Sequence, residues 1–185
     1  MAKMTIELSK QSLERAIKNL QDFADDYKKG ISNSIKAATE RLYQLIIAYC
    51  NSENVGNYTD AIQWEYDEKK NVGRVWVTSE GKESHGLVII LNEFGTGIKG
   101  TQDEYANKHG YKVNASGKGQ EGWWYPTTES DPNPYKWVDK DGQLRALTHG
   151  LPSKHMFYNA FQDVKREFGD IINIELQGTI GKLYD

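Results

Sequence analysis

The chain has 185 residues, with 23 Lys and Arg against 26 Asp and Glu, a net charge of -3 and a pI of about 5.8. This length suits a single domain over residues 1–185, which can bury a core of its own. A mildly acidic chain with scattered basic residues argues against tight DNA binding, because that function needs a concentrated basic surface.

Cysteine content and hydropathy indicate the compartment. The single cysteine, Cys50, excludes an intramolecular disulfide, so we expect a reducing environment. The apolar runs are shorter than the roughly 20 residues that a membrane-spanning helix needs, and the first residues lack the apolar core of a signal peptide. We therefore expect a soluble protein with no membrane partner.

The N-terminal region predicts two amphipathic helices. Apolar residues recur at every third or fourth position over residues 13–27, which is the spacing of one helical face. Gly30 follows two lysines and predicts a left-handed cap that ends this helix. A second stripe over residues 31–49 predicts another helix, on which Cys50 is a small apolar residue.

The central region predicts β-structure. Apolar residues alternate with polar ones over 62–66 and 75–77 on either side of a polar turn, which is typical of a half-buried hairpin. Residues 87–91 are continuously apolar, as expected of a central strand covered on both faces. A second hairpin is predicted to join 135–138 to 143–147, since an Asp-Gly step favours a tight turn.

A long insertion occupies about residues 95–150. Its first part, between Gly95 and Gly122, is polar and rich in glycine, and it exceeds the roughly 12 to 15 residues of an ordinary irregular loop. Such a segment is either functional or disordered. After the insertion, Pro152 fixes the approach to a closing helix that Ser153 caps, with an apolar face running from Phe157 to Ile171. Residues 173–185 predict a last turn or strand.

These elements together predict an α+β fold. N-terminal helices and a C-terminal helix pack on a small, mainly antiparallel sheet, with the Gly-rich loop and an extra aromatic hairpin added to it.

The glycine segment after the predicted central strand allows a nucleotide-binding interpretation. Residues 95–100, Gly-Thr-Gly-Ile-Lys-Gly, match the GxGxxG pattern of dinucleotide-binding turns. That function needs a helix directly after the third glycine and a second parallel strand about 20 residues later. Residues 101–110 carry no apolar stripe and no aliphatic strand follows them, so the sequence favours a glycine hinge.

Residues that could carry catalysis or bind a metal are scattered. The histidines lack neighbours at metal-ligand spacing, and they are His85, His109, His149 and His155. Cys50 lies within an apolar stripe, where burial would raise its pKa and suppress its reactivity. The sequence therefore predicts no catalytic residue, no metal site and no cofactor.

An aromatic cluster precedes the second hairpin and comprises Trp123, Trp124, Tyr125, Tyr135 and Trp137. Three interpretations remain open for it: packing beneath the long loop, a protein contact surface, or a platform for sugar rings or bases. Packing is favoured because large aromatic side chains bury the most area per residue.

Two motifs carry a family resemblance. The first is Glu93-Phe94-Gly95-Thr96-Gly97, and the second is Gly-Leu-Pro-Ser-Lys-His-Met-Phe-Tyr-Asn-Ala over residues 150–160. In this order, and preceded by helices and a short sheet, they resemble the gene-product-ten-like family of tail components in tailed bacteriophages. The resemblance covers most of the chain by element order, and its motif-like part is confined to these two segments.

The resemblance implies a structural virion protein, not an enzyme, that completes a tail or joins it to a head. Its implied assembly is a hexameric ring of identical subunits that contacts adjacent neck and tail proteins, such as a connector or stopper and a tail terminator or tube. DNA would pass through the ring without specific binding. The protein would be found in the neck and tail of the virion, and in the host bacterial cytoplasm during assembly.

The candidate hinge and interface residues are Glu93, Phe94, Gly95, Gly97, Trp123, Trp124, Trp137, Pro152 and Phe157. The alternative is a carbohydrate- or nucleotide-binding domain that uses the aromatic cluster or the glycine turn.

Overall fold

A computed structural model describes residues 10–78, 83–101, 108 and 122–180. The helices are α1 (Lys10–Ser52), α2 (Glu83–Phe94), α3 (Gly97–Thr101) and α4 (Met156–Ile180), with a 3-10 helix over Gly56–Ala61. The strands are β1 (Ile62–Asp67), β2 (Val72–Val77), β3 (Trp123–Pro126), β4 (Lys136–Val138) and β5 (Leu144–Thr148). With 60% of the described residues in helices and 17% in strands of small antiparallel sheets, the fold is α+β, as predicted.

The N-terminal region is one helix of 43 residues, so the prediction of two helices was wrong. Gly30 lies inside α1, where it is buried and its carbonyl accepts a 2.8 Å hydrogen bond from Ser34 Oγ. A glycine inside a helix costs only about 1 kcal/mol relative to alanine, and the apolar spacing continues through it without a change of face. The flanking stripes are therefore two parts of one stripe.

The predicted central strand over residues 87–91 was also wrong, because these residues form the middle of α2. Asn92 Nδ2 donates a 2.8 Å hydrogen bond to the carbonyl of Val88 one turn earlier. Ile89 is fully buried whereas Leu87 is 54% exposed, so the run has a helical inner and outer face. A short aliphatic run is compatible with either structure, and here the helix satisfies the backbone without a partner strand.

Contacts between residues divide the chain into two compact units. The first comprises residues 1–44, 64–75 and 161–185, and the second comprises residues 45–63 and 76–160. The expectation of one domain over 1–185 stays a prediction.

In the first unit, the β1–β2 hairpin packs closely on α1. A Cβ added to Gly73 would lie 1.6 Å from Thr39 Oγ1, so this contact requires glycine. The rings of Tyr43 and Trp64 are 6.4 Å apart. The hairpin itself was correctly predicted from its alternating pattern.

α4 contacts α1 in the same unit through a bidentate ion pair. Arg41 Nε and Nη2 donate to the two carboxylate oxygens of Glu167 at 2.8 and 3.1 Å. The hydrogen bond from Arg41 lowers the pKa of the Glu167 carboxyl. Both side chains are about two-fifths exposed, so water screens the pair and its contribution to stability is small.

The second unit contains an antiparallel sheet in the order β3-β5-β4. The hairpin of β4 and β5 was predicted, and Gly142 takes the positive φ of 76° that its tight turn needs. β3 was not predicted as a strand. Within it Trp123 pairs with Thr148 and Pro126 pairs with Arg145, so part of the aromatic cluster belongs to this sheet.

α4 differs from its prediction at both ends. It begins at Met156 and continues to Ile180, across most of the tail that was predicted to be a last turn or strand. Its buried positions are Met156, Ala160 and Val164, whereas Phe161 is 54% and Phe168 39% exposed. The predicted apolar face is therefore correct at Val164, but Phe161 and Phe168 stay partly exposed while Met156 and Ala160 are buried instead.

Most of the polar segment between Gly95 and Gly122 lies outside the described residues. In the part of the chain that the structure describes, none of the helices combines the length and the apolar character needed to cross a membrane.

Candidate functional site

The two sequence motifs meet in the second unit. Residues 92–97 cover the end of α2 and the turn after it, and residues 149–158 cover the approach to α4 and its first turn. We call their contact region the glycine junction.

Backbone hydrogen bonds connect the two segments of the glycine junction. Thr96 and Leu151 exchange a reciprocal pair, with N–H to carbonyl distances of 2.8 and 3.1 Å, and Thr96 Oγ1 also accepts from the Leu151 N–H at 2.9 Å. The N–H of Lys154 donates to the carbonyl of Asn92 at 2.8 Å. Backbone hydrogen bonds thus hold the two segments together and constrain the backbone conformation of both.

Three glycines allow this close approach. Gly95, Gly97 and Gly150 all have positive φ, at 74°, 62° and 103°. A Cβ on Gly95 would lie 2.7 Å from the Leu151 carbonyl oxygen, and one on Gly150 would lie 1.9 Å from the Thr96 carbonyl oxygen. Backbone conformation and lack of space therefore both require glycine here. This agrees with a glycine-dependent turn, although Gly95 follows a helix and not the predicted strand.

Glu93 fixes the start of α4. It is 4% exposed, and its Oε2 and Oε1 accept hydrogen bonds from the backbone N–H groups of Phe157 and Tyr158 at 2.8 and 3.2 Å. These N–H groups lack acceptors within the helix, and a carboxylate at a helix N-terminus also favours the helix dipole. Glu93 thus caps the helix from 64 positions earlier in the sequence, a contact that the sequence did not predict.

His155 precedes the first helical residue with a positive φ of 54°. Its Nε2 lies 3.0 Å from Ser153 Oγ, and its ring packs edge-on against Tyr158 with centroids 6.1 Å apart. A positive φ is strained for a histidine, so the surrounding contacts hold this turn in place.

Cys50 lies beside the glycine junction, to which Lys154 belongs. Cys50 is fully buried, and desolvation, followed by the nearby Glu93 carboxylate, raises the pKa of its thiol to about 11. A thiol with this pKa stays protonated and unreactive near neutral pH, as predicted for a packing role. Lys154 Nζ donates to the Glu53 carbonyl at 2.6 Å, which connects the junction to the end of α1.

The aromatic cluster divides between two faces of the three-stranded sheet. Trp123 faces the junction, where its ring would lie 2.9 Å from a Cβ on Gly97. Trp124 and Trp137 lie on the other face, with ring centroids 6.1 Å apart and side chains 44% and 54% exposed. We call this pair the tryptophan face. Trp123 is thus partly covered, whereas Trp124 and Trp137 are exposed. Packing beneath the long loop stays a prediction, because most of that loop lies outside the described residues.

A second exposed apolar surface lies on α1 in the first unit. Its members are Leu13, Ile17, Leu20, Phe23 and Tyr27, with exposures of 44, 54, 62, 38 and 46%. We call them the α1 stripe. The Phe23 and Tyr27 rings lie 6.3 Å apart. The same face is buried farther along at Ala38, so the exposure is confined to the N-terminal half of the helix.

An open apolar groove of about 310 Å³ follows this stripe in the same unit. Its walls are Ile35, Ala38 and Leu42 of α1 with Phe161, Val164 and Phe168 of α4. A smaller cavity of about 150 Å³ in the second unit is bounded by Phe94, Glu93 and Phe157.

The predicted site residues thus separate into groups. The glycine junction brings together Glu93, Phe94, Gly95, Gly97, Trp123 and Phe157, with the exposed Pro152 at its edge. Trp124 and Trp137 form a surface of their own. The α1 stripe was not among the predicted site residues, because its spacing is equally typical of a buried helix face.

Polar pairs outside the junction were also missed. His85 Nδ1 lies 2.6 Å from Asp60 Oδ1, and the His85 ring meets that of Tyr58 edge-on at 5.1 Å. These residues are 25 positions apart in sequence, and no local spacing predicts their contact. Among the residues that the structure describes, no three His, Cys, Asp or Glu side chains are grouped closely enough to hold a metal ion.

In comparisons with known proteins, no protein-family model, curated protein or solved structure matches the chain.

Proposed function

We propose that this protein is a structural subunit that assembles with copies of itself at the head-tail junction of a tailed bacteriophage or prophage. The observation that carries the proposal is the α1 stripe. Its large apolar side chains share one helix face and are 38 to 62% exposed. Contiguous apolar patches of this kind mark protein contact sites on soluble proteins.

The glycine junction supports the same function in another way. Its unusual residues are engaged in holding the backbone: the glycines allow main-chain contacts, and both oxygens of Glu93 receive helix N–H groups. A subunit that must fit between neighbours benefits from such a defined turn. The resemblance of this same pair of motifs to a phage tail-component family implies a location at the neck.

A closed ring requires two different patches on each subunit that meet head to tail. The α1 stripe and the tryptophan face are two such candidates. Exposed tryptophans contribute strongly to protein interfaces, because one ring buries a large area at low conformational cost. A chain with a net charge of -3 also suits a channel that DNA must leave freely. The implied state is a hexamer in contact with neighbouring neck and tail proteins.

The ring is tested by co-assembly. The purified protein, alone and mixed with the neck and tail-tube proteins encoded beside it, would be examined by light scattering coupled to size exclusion and by electron microscopy. We expect a ring of six copies in the mixture. Monomers in every mixture, with no complex, would refute the proposal.

A carbohydrate-binding function is the second candidate, favoured by the exposed tryptophan face. Indole rings provide apolar platforms for sugar rings, and Trp124 and Trp137 are accessible from one side of the sheet. Titration with cell-wall oligosaccharides, followed by tryptophan fluorescence, distinguishes the two. Saturable quenching that Trp124→Ala abolishes would favour sugar binding over a role for this face in the ring.

A further inference from the structure

The apolar positions of α1 have the spacing of a coiled coil. Leu13, Ile17, Leu20, Ala24 and Tyr27 are separated alternately by four and three residues, and Ile31 continues the series. This is the a and d pattern of a heptad repeat, which forms a seam with a second helix. The period therefore indicates a helical partner, rather than an irregular loop or a flat sheet.

The residues beside this seam indicate which helix is the partner. On one side of the stripe, Glu14 and Lys28 are two heptads apart and carry opposite charges. When a second copy of α1 lies antiparallel, with the apolar layers of the seam centred at residue 22, the flanking positions are displaced along the axis by about one residue, and Glu14 of each copy lies beside Lys28 of the other. In a parallel pair these two positions stay far apart, so the charges favour the antiparallel arrangement.

The same register satisfies the apolar positions. Ile17 lies opposite Tyr27 of the second copy, and Leu20 lies opposite Ala24, so a large side chain meets a small one at the centre. Phe23 meets its own counterpart across the two-fold axis, on the side of the seam away from the charges. A single register thus accounts for the stripe, the charges and the small residue at position 24.

Lys28 is able to reach this partner. Within its own helix its Nζ is 4.0 Å from Asp25 Oδ1, with the two side chains 80 and 81% exposed. Such a solvent-exposed pair contributes little and is readily exchanged.

We propose that, in the free protein, two copies pair through antiparallel α1 stripes, and that this pairing covers the stripe until the subunit enters a larger assembly. The pairing is a two-fold contact distinct from the head-to-tail contacts of a ring. Its later release rests on the proposed function, whereas the pairing itself does not.

A charge exchange tests the register. The association constant of the full chain would be measured by sedimentation equilibrium at low salt for wild type, Glu14→Lys, Lys28→Glu and the double variant. Each single variant places like charges opposite each other at both ends, and we expect association to weaken roughly five- to tenfold. The double variant restores both opposite-charge pairs and should return to near wild-type association.

The double variant also separates pairing from effects within one helix. In the double variant, Lys at position 14 still repels Lys18 one turn later in the same helix, as it does in Glu14→Lys alone. Recovery of association in the double variant can therefore come only from contacts with the second copy. Failure of the double variant to recover would overturn the antiparallel register. Circular dichroism on each variant would verify that α1 keeps its helical content.

Cysteine cross-linking gives an independent readout. Phe23→Cys should form a disulfide-linked dimer on mild oxidation, because position 23 meets itself across the axis. Lys18→Cys, on the opposite face of the helix, is the matched control and should stay monomeric on a denaturing gel. The native Cys50 is fully buried and does not compete.

The outcomes separate this inference from the ring. A free hexamer that neither the charge variants nor Phe23→Cys affect would overturn the pairing and leave the ring in place. A free monomer at high micromolar concentration would also overturn the pairing, and the mixtures with neck proteins would then decide the ring alone. A free dimer with the expected variant pattern, but without a complex in those mixtures, would support the pairing and refute the ring.

Discussion

Glu93 links two distant parts of the sequence through one side chain. Its oxygens receive the N–H groups of Phe157 and Tyr158, and its position among apolar neighbours leaves it 4% exposed. Glu93→Ala would remove the acceptor of these partly buried donors, and we expect a loss of about 1 to 3 kcal/mol in the free energy of unfolding. Urea denaturation followed by circular dichroism measures it.

Glu68→Ala, at an exposed turn position between β1 and β2, is the control for loss of one negative charge. We expect it to change stability by no more than about 0.5 kcal/mol. Equal losses in the two variants would mean that the contacts of Glu93 do not stabilise α4.

Alanine substitutions at Gly95 and Gly142 distinguish the cost of backbone strain from the cost of a steric clash. They have nearly the same φ, 74° and 76°, yet a Cβ on Gly142 would meet nothing within 4 Å. Gly142→Ala should therefore cost about 1 to 2 kcal/mol for the left-handed conformation alone. Gly95→Ala adds a clash with the backbone of Leu151 and Ser153, and should cost about 1 to 3 kcal/mol more. If urea denaturation gave similar losses of unfolding free energy for the two variants, the glycine junction would accommodate the added methyl group without a steric cost.

Asp131 makes the loop before β4 sensitive to acid. Hydrogen bonds from Thr127, Tyr125 and the N–H of Asn133 lower the pKa of its carboxyl from 3.8 to about 2. Because the folded pKa is the lower one, the carboxylate stabilises the fold above the unfolded pKa, and this contribution is lost as pH falls toward the folded pKa. The relevant window is therefore about pH 4 to pH 2.

We expect the melting temperature of Asp131→Asn to depend less on pH in that window than that of wild type. Asp139 and Glu167, whose pKa values are also lowered, contribute in both proteins and cancel in the comparison. The exposed Asp141→Asn is the control and should behave like wild type. Parallel curves for Asp131→Asn and wild type would contradict a stabilising role for the Asp131 carboxylate.

At the scale of elements, two glycines predict opposite effects of the same substitution. Gly169 lies in α4 with open space around it, so Gly169→Ala should stabilise the protein by about 0.5 to 1 kcal/mol through helix propensity. Gly73→Ala would place a methyl group against Thr39 and should separate the hairpin from α1, at a cost of about 1 to 3 kcal/mol. Thermal denaturation of both variants checks the signs.

How far the sequence predicts these elements depends on the type of signal. The β1–β2 hairpin was predictable from its alternating pattern, which is specific to a half-buried strand, and the β4–β5 hairpin from the Asp-Gly step of its turn. Residues 87–91 were not, since five aliphatic residues in a row have no period and only the surrounding chain decides between helix and strand. Gly30 was misread as a helix end because its cost is small beside the packing of a long continuous stripe.

The residues of the glycine junction stand out in the sequence, but their contacts do not. The sequence marked Glu93, Gly95 and Gly97 as unusual, and the structure places them in one junction with the second motif. It could not reveal that Glu93 caps a helix 64 positions later, because long-range hydrogen bonds leave no periodic signal. Trp123 and Trp124 are adjacent in sequence. Their side chains point to opposite faces because β3 pairs with β5 as a strand, and this strand was not predicted.

At the scale of the whole molecule, the proposed pairing predicts that stability depends on association. A second copy that covers the α1 stripe binds the folded chain and not the unfolded one, so melting should depend on protein concentration. For a dimer of chains of this size, a tenfold increase in concentration should raise the melting temperature by roughly 2 °C. A ring of more subunits would also give a rise, whereas a monomer would give none.

Ile17→Ser tests whether the stripe is the source of this dependence. Ile17 is 54% exposed, so in a lone subunit the substitution should change the free energy of unfolding by no more than about 0.5 kcal/mol. In an assembly it removes an apolar contact from the seam, and the concentration dependence should disappear. Leu87→Ser is the matched control, because Leu87 has the same exposure of 54% but lies on α2. If the two variants melt alike at every concentration, the α1 stripe is not the assembly surface.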